Sequence, residues 1–168
     1  MPCSCKKPLP EYPDNAHWGP ILWSVLHALA QKSGKAIFPT FRDDEVRQWI
    51  NMIQVMPQMI PCDKCRAHVQ EWLVRRPIAD IKNLPYTGLN DWIVTWVYDL
   101  HEEVNQRLGK PSFDKALLGS TYNSLSIHGA LNALKPFIET AIRLSGITLF
   151  PWNKFVGYAK SLCSYYGV

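Results

Sequence analysis

Apolar residues recur at helical spacing along most of the chain. The longest such stretch runs from Leu89 to Val104, where apolar side chains return every three or four positions. Gly109 and Pro111 follow in the positions that usually end a helix. The same spacing predicts earlier helices over residues 18–33, 42–56 and 62–76. It also predicts two later helices, which begin near Ile127 and Pro151.

The pattern predicts an all-α fold. No stretch of useful length alternates between apolar and polar residues as a half-buried strand would. A loop over residues 77–88 precedes the longest helix, and a short helical turn is predicted over residues 112–118. We expect an N-terminal tail over residues 1–16, a helical domain over residues 17–122 and a helical C-terminal extension over residues 123–168.

Composition limits the classes of function. The 168 residues are 47% hydrophobic and include seven Trp and seven Tyr, which is typical of a globular chain with a real core. The net charge of +4 comes from scattered Lys and Arg residues, so binding to nucleic acid is not expected. No apolar run approaches the roughly 20 residues that cross a bilayer, and no signal-peptide core follows Met1. We therefore expect an intracellular protein that binds no membrane.

The five cysteines form two close pairs and a single residue. Cys62 and Cys65 stand in a Cys-x-x-Cys motif, which is typical of a redox disulfide, half a metal site or two inert thiols. Pro61 suits the first position of a helix, where the helix dipole lowers the pKa of a nearby thiol. The spacing of the apolar residues predicts that Cys65 points inward, whereas Cys62 lies nearer the surface. We expect Cys163 to pack as a small apolar side chain.

The second pair, Cys3 and Cys5, lies in a proline-rich segment that predicts an extended, mobile tail. A Cys-x-Cys bridge closes a small, strained ring, which would make it a good oxidant. Alternatively, both pairs together could bind zinc, which would make the chain a non-enzymatic helical zinc-binding interaction module. Structural zinc usually has both pairs in short knuckles, so we favour redox chemistry and expect no metal.

Three segments taken together resemble the Erv/ALR family of FAD-dependent sulfhydryl oxidases, including its large-DNA-virus forms. They are residues 18–27 (WGPILWSVLH), the Cys62–Cys65 motif with His68, and residues 101–113 (HEEVNQRLGKPSF). The third segment is the most specific, and the resemblance covers roughly residues 17 to 122. Glu102 departs from the pattern, since many members have Asn there, and we expect it to turn to solvent or to Arg107.

The resemblance implies an all-α bundle of four helices plus a short fifth, which holds FAD and is usually a homodimer. It implies that the enzyme oxidises protein dithiols to disulfides, passing electrons through the Cys-x-x-Cys to FAD and then to dioxygen, which gives hydrogen peroxide. A thioredoxin-like carrier is a further implied partner. Without a signal peptide, such a protein belongs in the host cytoplasm or the virion if it is viral, and otherwise in the mitochondrial intermembrane space.

The resemblance also assigns roles to residues. Cys65 matches the sulfur next to the flavin, Cys62 matches the sulfur that exchanges with the incoming thiol, and Cys3 and Cys5 match a shuttle disulfide. Aromatic rings and cations suit the flat rings and the diphosphate of FAD. The positions expected to contact the cofactor are Trp18, Gly19, Trp23, His27, His68, Trp96, His101, Val104, Asn105, Leu108, Lys110, Phe113 and Tyr122.

Overall fold

The computed structural model describes residues 10–168, and all regular secondary structure in that part of the chain is helical. The fold class is therefore all-α, as predicted. The seven α-helices are α1 (Asn15–Lys32), α2 (Arg42–Met59), α3 (Asp63–Arg75), α4 (Leu89–Arg107), α5 (Leu118–Tyr122), α6 (Ile127–Arg143) and α7 (Leu149–Tyr166). Short 3-10 turns precede α2, α4 and α5.

Helix α1 lies at the centre of the fold. Asp14 caps its N-terminus by accepting a hydrogen bond from the backbone N–H of Ala16 at 2.8 Å. The helix therefore begins three residues before Trp18, where the apolar pattern predicted its start. Residues 25–30 are all buried, because α4, α5, α6 and α7 pack against α1. A helix that is apolar on all sides is stable only when it is enclosed in this way.

Two helix boundaries differ from the prediction because of proline. Helix α2 was predicted to end at Met56, but it continues to Met59 with Pro57 inside its last turn. Helix α3 begins after Cys62, which is its N-cap, so Pro61 lies outside the helix and not at its first position. The Cys62 Sγ accepts a hydrogen bond from the backbone N–H of Cys65 at 3.1 Å. The sulfur of Cys62 thus still lies at the positive end of a helix.

The C-terminal extension is part of the core. Helix α6 packs along α1, and α7 packs along α2, which is the most extensive helix pair in the described residues. Phe155 and Leu162 of α7 are fully buried in the same apolar cluster as Trp49 of α2. Cys163 is 1% exposed, as predicted for a packing residue, and burial raises the pKa of its thiol. The division of the chain at residue 122 stays a prediction.

A buried carboxylate connects α2 and α7. Glu45 is completely buried, and it accepts hydrogen bonds from the Tyr166 hydroxyl at 2.7 Å and from the Tyr86 hydroxyl at 2.5 Å. It also accepts one from the backbone N–H of Gly34 at 2.7 Å. The Tyr166 oxygen in turn accepts a hydrogen bond from the Trp49 indole at 2.8 Å. A buried carboxylate is tolerated only when its oxygens have such partners.

None of the helices in residues 10–168 is both long enough and apolar enough to cross a bilayer.

This network predicts that Tyr166→Phe destabilises the fold. The substitution leaves Glu45 and the Trp49 indole short of a partner in the core, which should lower the free energy of unfolding by about 1–3 kcal/mol. Urea unfolding measures the loss. Tyr165→Phe is the matched control, since the Tyr165 ring stacks on Phe41 whereas the network uses the Tyr166 hydroxyl. Equal stability of the two variants would contradict the role of the network.

Candidate functional site

A cavity of about 780 Å³ lies between α1, α3 and α4. Its volume is in the upper part of the range that holds cofactors and drug-sized ligands. Side chains of α1 form one wall, the start of α3 forms the second, and the C-terminal half of α4 with the loop after it forms the third. Trp18, Trp23 and Tyr122 supply aromatic surface to this cavity.

The Cys62–Cys65 pair forms a disulfide in the wall of the cavity. Both cysteines are partly exposed and both line the cavity, so burial does not separate an inward sulfur from an outward one. The two positions differ instead in their place on α3. Cys62 is the N-cap, whereas Cys65 lies within the first turn and contacts α1 through Asn15, whose Nδ2 is 3.8 Å from the Cys65 Sγ.

Four rings join α1, α4 and α5 beside the cavity. The Trp23 and His101 rings are stacked with their centroids 4.2 Å apart, and the His27 and Tyr122 rings are stacked at 4.6 Å. A hydrogen bond of 2.9 Å joins His27 Nε2 to His101 Nδ1. One of the two histidines donates and the other accepts, so at least one of the pair must be neutral.

Burial keeps both histidines neutral. Burial, together with the nearby His101, lowers the pKa of His27 to about 3. The pKa of His101 falls to about 4, again mainly through burial; Glu102 opposes the shift and Lys110 adds to it. Neutral imidazoles place no positive charge beside the flat ring surfaces, and each keeps one nitrogen as an acceptor.

Two buried nitrogens at this site have no partner within residues 10–168. They are the indole Nε1 of Trp18, which lines the cavity, and Nδ1 of His27. Buried polar groups normally have hydrogen-bond partners, and an orphan at the edge of a cavity indicates a ligand or a water. Together with the aromatic walls, the Trp18 indole N–H suits a flat heteroaromatic ligand with polar edges, and the flavin of FAD is such a group.

Three cations line the same cavity. Lys64 on α3, Arg107 at the end of α4 and Lys110 in the following loop all line it. Gly109 adopts a left-handed backbone conformation with φ of 65°, which ends α4 and turns the chain back at Lys110. The backbone N–H of Lys110 donates to the Asn105 carbonyl at 2.9 Å. These charges suit the diphosphate of a dinucleotide.

Glu102 holds the loop after α4 in place. Its carboxylate accepts hydrogen bonds from the backbone N–H of Phe113 at 3.0 Å, from the Asn105 amide at 3.1 Å and from the Ser112 hydroxyl. These bonds lower its pKa, although burial opposes them. The expectation that Glu102 turns to solvent or to Arg107 is wrong, because the side chain is only 8% exposed and its oxygens bind the loop. Arg107 pairs with Glu103 at 2.8 Å instead.

Nine of the thirteen residues expected to contact the cofactor line the cavity: Trp18, Gly19, Trp23, His68, His101, Val104, Leu108, Lys110 and Tyr122. The other four lie behind its surface. His27 contacts two of the lining rings, and Asn105 and Phe113 hold the loop that carries Lys110. Trp96 is fully buried among Trp72 and Trp92 and donates to the Arg76 carbonyl, and its contact with the cofactor stays a prediction.

Sequence reasoning missed other residues of the cavity. Asn15 lies before the first apolar residue of α1, where a periodic pattern gives no signal. Met56 and Ile60 also line the cavity, from the end of α2 and the link to α3. Their apolar side chains carry no chemical signature that would distinguish them from core residues in the sequence. Cys3 and Cys5, the predicted shuttle pair, lie outside the described residues.

Within residues 10–168, no three His, Cys, Asp or Glu side chains are grouped as metal ligands would be. The zinc alternative requires Cys62 and Cys65 as free thiolates, whereas the structure joins them in a disulfide. Its other two ligands, Cys3 and Cys5, lie outside the described part of the chain.

Comparison with known proteins gives a consistent result. The Erv1/Alr family model matches residues 20–123. A mitochondrial FAD-linked sulfhydryl oxidase of Schizosaccharomyces pombe is 30% identical over 62% of this chain, and the match spans only 53% of that protein. An FAD-linked sulfhydryl oxidase of African swine fever virus is 28% identical over 71% of this chain and 87% of the viral protein. A probable FAD-linked sulfhydryl oxidase of Acanthamoeba polyphaga mimivirus is 30% identical over 55% of the chain and 59% of that protein. No solved structure gives a significant match.

The histidine pair predicts that stability falls in mild acid. The folded state holds both imidazoles neutral, while the unfolded chain protonates them near pH 6.5, so the unfolded state binds more protons below that pH. The free energy of unfolding should be constant above about pH 7 and fall by on the order of 2 kcal/mol by pH 5, since His101 is partly exposed and contributes less than His27.

Urea unfolding of the flavin-free protein between pH 5 and pH 8 measures this loss. The His27→Gln, His101→Gln double variant should show a shallower pH dependence, while the exposed-residue control His128→Gln should behave like the wild type. The same slope in the double variant would show that other groups cause the acid sensitivity.

Proposed function

Because the chain belongs to the Erv1/Alr family, we propose that it is an FAD-linked sulfhydryl oxidase that forms disulfides in protein substrates. The observation that carries this proposal is the Cys62–Cys65 disulfide in the wall of a cavity lined with aromatic rings and cations. The curated relatives named above carry that activity in their names. A disulfide open to both the cavity and the outside can accept electrons from a dithiol and pass them inward.

We propose that FAD is held by residues that line the cavity, namely the nine predicted ones together with Arg107. Trp23, His101 and Tyr122 present ring faces for the flat ring systems, while Lys110 and Arg107 suit the negative diphosphate. The indole N–H of Trp18, which lines the cavity and has no partner in the described residues, is available as a donor. When bound, FAD supplies a two-electron acceptor that returns its electrons to dioxygen, which gives hydrogen peroxide.

The protein performs the thiol chemistry with its two cysteines. A substrate thiolate attacks the Sγ of Cys62, a mixed disulfide forms, and the Cys62–Cys65 bond breaks with Cys65 leaving as a thiolate. The second substrate thiolate then attacks the substrate sulfur of the mixed disulfide. The substrate disulfide forms and Cys62 leaves as a thiolate. The substrate has lost two electrons and two protons, and the two cysteines of the enzyme hold both electrons as thiols. The helix N-terminus stabilises negative charge at Cys62.

We propose a large-DNA-virus form of the enzyme, with a protein dithiol or a thioredoxin-like carrier as substrate and a homodimer as the working assembly. Viral FAD-linked sulfhydryl oxidases, from African swine fever virus and from mimivirus, are among the similar proteins. They support a viral enzyme in the host cytoplasm or virion.

Oxidation of a test dithiol checks the proposed activity. The purified protein should be yellow, consume dioxygen with dithiothreitol, and release one hydrogen peroxide per disulfide formed. Cys62→Ser and Cys65→Ser should each lower turnover by at least about 100-fold, because either change removes the disulfide. Cys163→Ser is the matched control and should keep turnover, since that thiol is buried in α7.

A colourless protein that binds no FAD, or equal turnover in all three cysteine variants, would contradict the proposal.

The predicted shuttle has its own test. In Cys3→Ser, Cys5→Ser the small dithiol still reaches Cys62 directly, so oxidation of dithiothreitol should persist, while oxidation of a reduced protein substrate should fall about tenfold or more. Oxygen consumption with each substrate gives the two rates. Unchanged rates with both substrates would remove the shuttle from the mechanism.

A further inference from the structure

Asn15 contacts the redox disulfide directly. It is the first residue of α1, it lines the cavity, and its side-chain Nδ2 lies 3.8 Å from the Sγ of Cys65, within the range of a hydrogen bond to sulfur. The family model begins at residue 20, so this contact lies outside the matched segment. An amide N–H that points at a sulfur favours the thiolate over the thiol, because the anion is the better acceptor.

Two interactions fix the chain next to Asn15. Asp14 caps α1 through Ala16, which sets the direction in which the Asn15 side chain leaves the helix. Two residues earlier, the Tyr12 ring packs directly on Gly146, where an added Cβ would overlap the Tyr12 hydroxyl oxygen and the ring carbons beside it. Only glycine leaves room for the ring in that position.

Gly146 belongs to the turn between α6 and α7, which lies outside the family match. The backbone N–H of Gly146 donates to the Ala141 carbonyl at 2.9 Å, so the turn is a continuation of the α6 C-terminus. The turn also lies near the start of α3. Burial raises the pKa of the Tyr12 hydroxyl, and the Asp63 carboxylate raises it further, while Arg66 lowers it. The Tyr12 hydroxyl therefore interacts electrostatically with charges in the first turn of α3.

We propose that Asn15 is a further residue of the redox centre that stabilises the Cys65 thiolate, and that the α6–α7 turn holds it there by packing Gly146 against Tyr12. Its part in turnover rests on the proposed oxidase function. When a substrate thiolate attacks Cys62 and the disulfide breaks, Cys65 leaves as a thiolate, and the Asn15 amide donates to that sulfur. The C-terminal extension thereby influences the Cys65 thiolate, although it contributes no residue to the redox centre.

Other charged or titratable groups also lie around Cys65. Helix α3 contributes Asp63, Lys64, Arg66 and His68. Arg107 and the neutral His101 on α4, and Lys110 in the following loop, line the same cavity. All of them remain when Asn15 is replaced, so a difference between variants reports the amide alone.

The pKa of the Cys65 thiol tests the proposal. The full chain is used as purified, in a Cys3→Ser, Cys5→Ser, Cys62→Ser background, where the introduced hydroxyl keeps an N-cap acceptor for α3 and Cys163 is buried. The rate of alkylation by iodoacetamide, followed by intact mass between pH 5 and pH 10, gives that pKa. Asn15→Ala should raise it by about 0.5 to 1, which is a three- to tenfold lower thiolate fraction at neutral pH.

Asn132→Ala is the matched control, because it makes the same substitution on the exposed face of α6. It should leave the alkylation profile unchanged. Identical profiles for Asn15→Ala and the control would overturn the role of Asn15. The alkylation rate measures the Cys65 thiol and not turnover. It therefore tests the role of Asn15 independently of dithiol oxidation, which tests the proposed oxidase function.

A double-mutant cycle tests the contribution of the α6–α7 turn. Tyr12→Ala and Gly146→Ala should each raise the Cys65 pKa in the same direction as Asn15→Ala, because either change removes the packing that fixes the chain before α1. The double variant should be no worse than Tyr12→Ala, since the added Cβ acts only by displacing the ring. Additive effects, or an unchanged pKa in both single variants, would remove the turn from the proposal.

Discussion

The contact between α1 and α4 is the interaction on which the cavity depends. Trp23 and His27 of α1 meet His101 of α4 in a stack and a hydrogen bond, and this contact sets the separation of two cavity walls. The two imidazoles cannot both be charged, because one of them must accept the hydrogen bond, and burial keeps both neutral. The same burial leaves Nδ1 of His27 without a hydrogen-bond partner in the described residues. Such unpaired buried nitrogens are uncommon in protein cores.

Helices α2 and α3 add the sulfur chemistry to this framework. Helix α2 is fixed near its start by the Glu45 network and along its side by α7, so its end, at Met59, is a firm starting point for the short link to Cys62. The cap of α3 by Cys62 then places the disulfide at a helix N-terminus in the cavity wall. The first turn of α3 thus holds Cys65, and the cap hydrogen bond ties Cys62 to that turn, which suits a group that must meet a cofactor at one distance.

The helical fold could be predicted because period and stop signals agree along the chain. Residues 89–104 carry the pattern and Gly109 ends it, and the structure places α4 over Leu89–Arg107. The prediction failed where capping and tertiary contacts outweighed local rules, as at Pro57 inside α2 and at Asn15 before the first apolar residue. Glu102 shows the limit for the site. Its charge predicted a side chain exposed to solvent, whereas in the fold three hydrogen-bond donors converge on its carboxylate.

The covering of α1 by α6 and of α2 by α7 has a consequence for self-association. The faces of α1 and α2 that these helices bury are closed to any other protein, including a second copy, unless the core is opened. Two copies that associate must therefore meet through the surfaces that stay outside, such as those carrying the exposed side chains of Val74 on α3 or Phe150 at the start of α7. Residues 123–168 thus cover surfaces of α1 and α2, and this restricts where a second protein can bind.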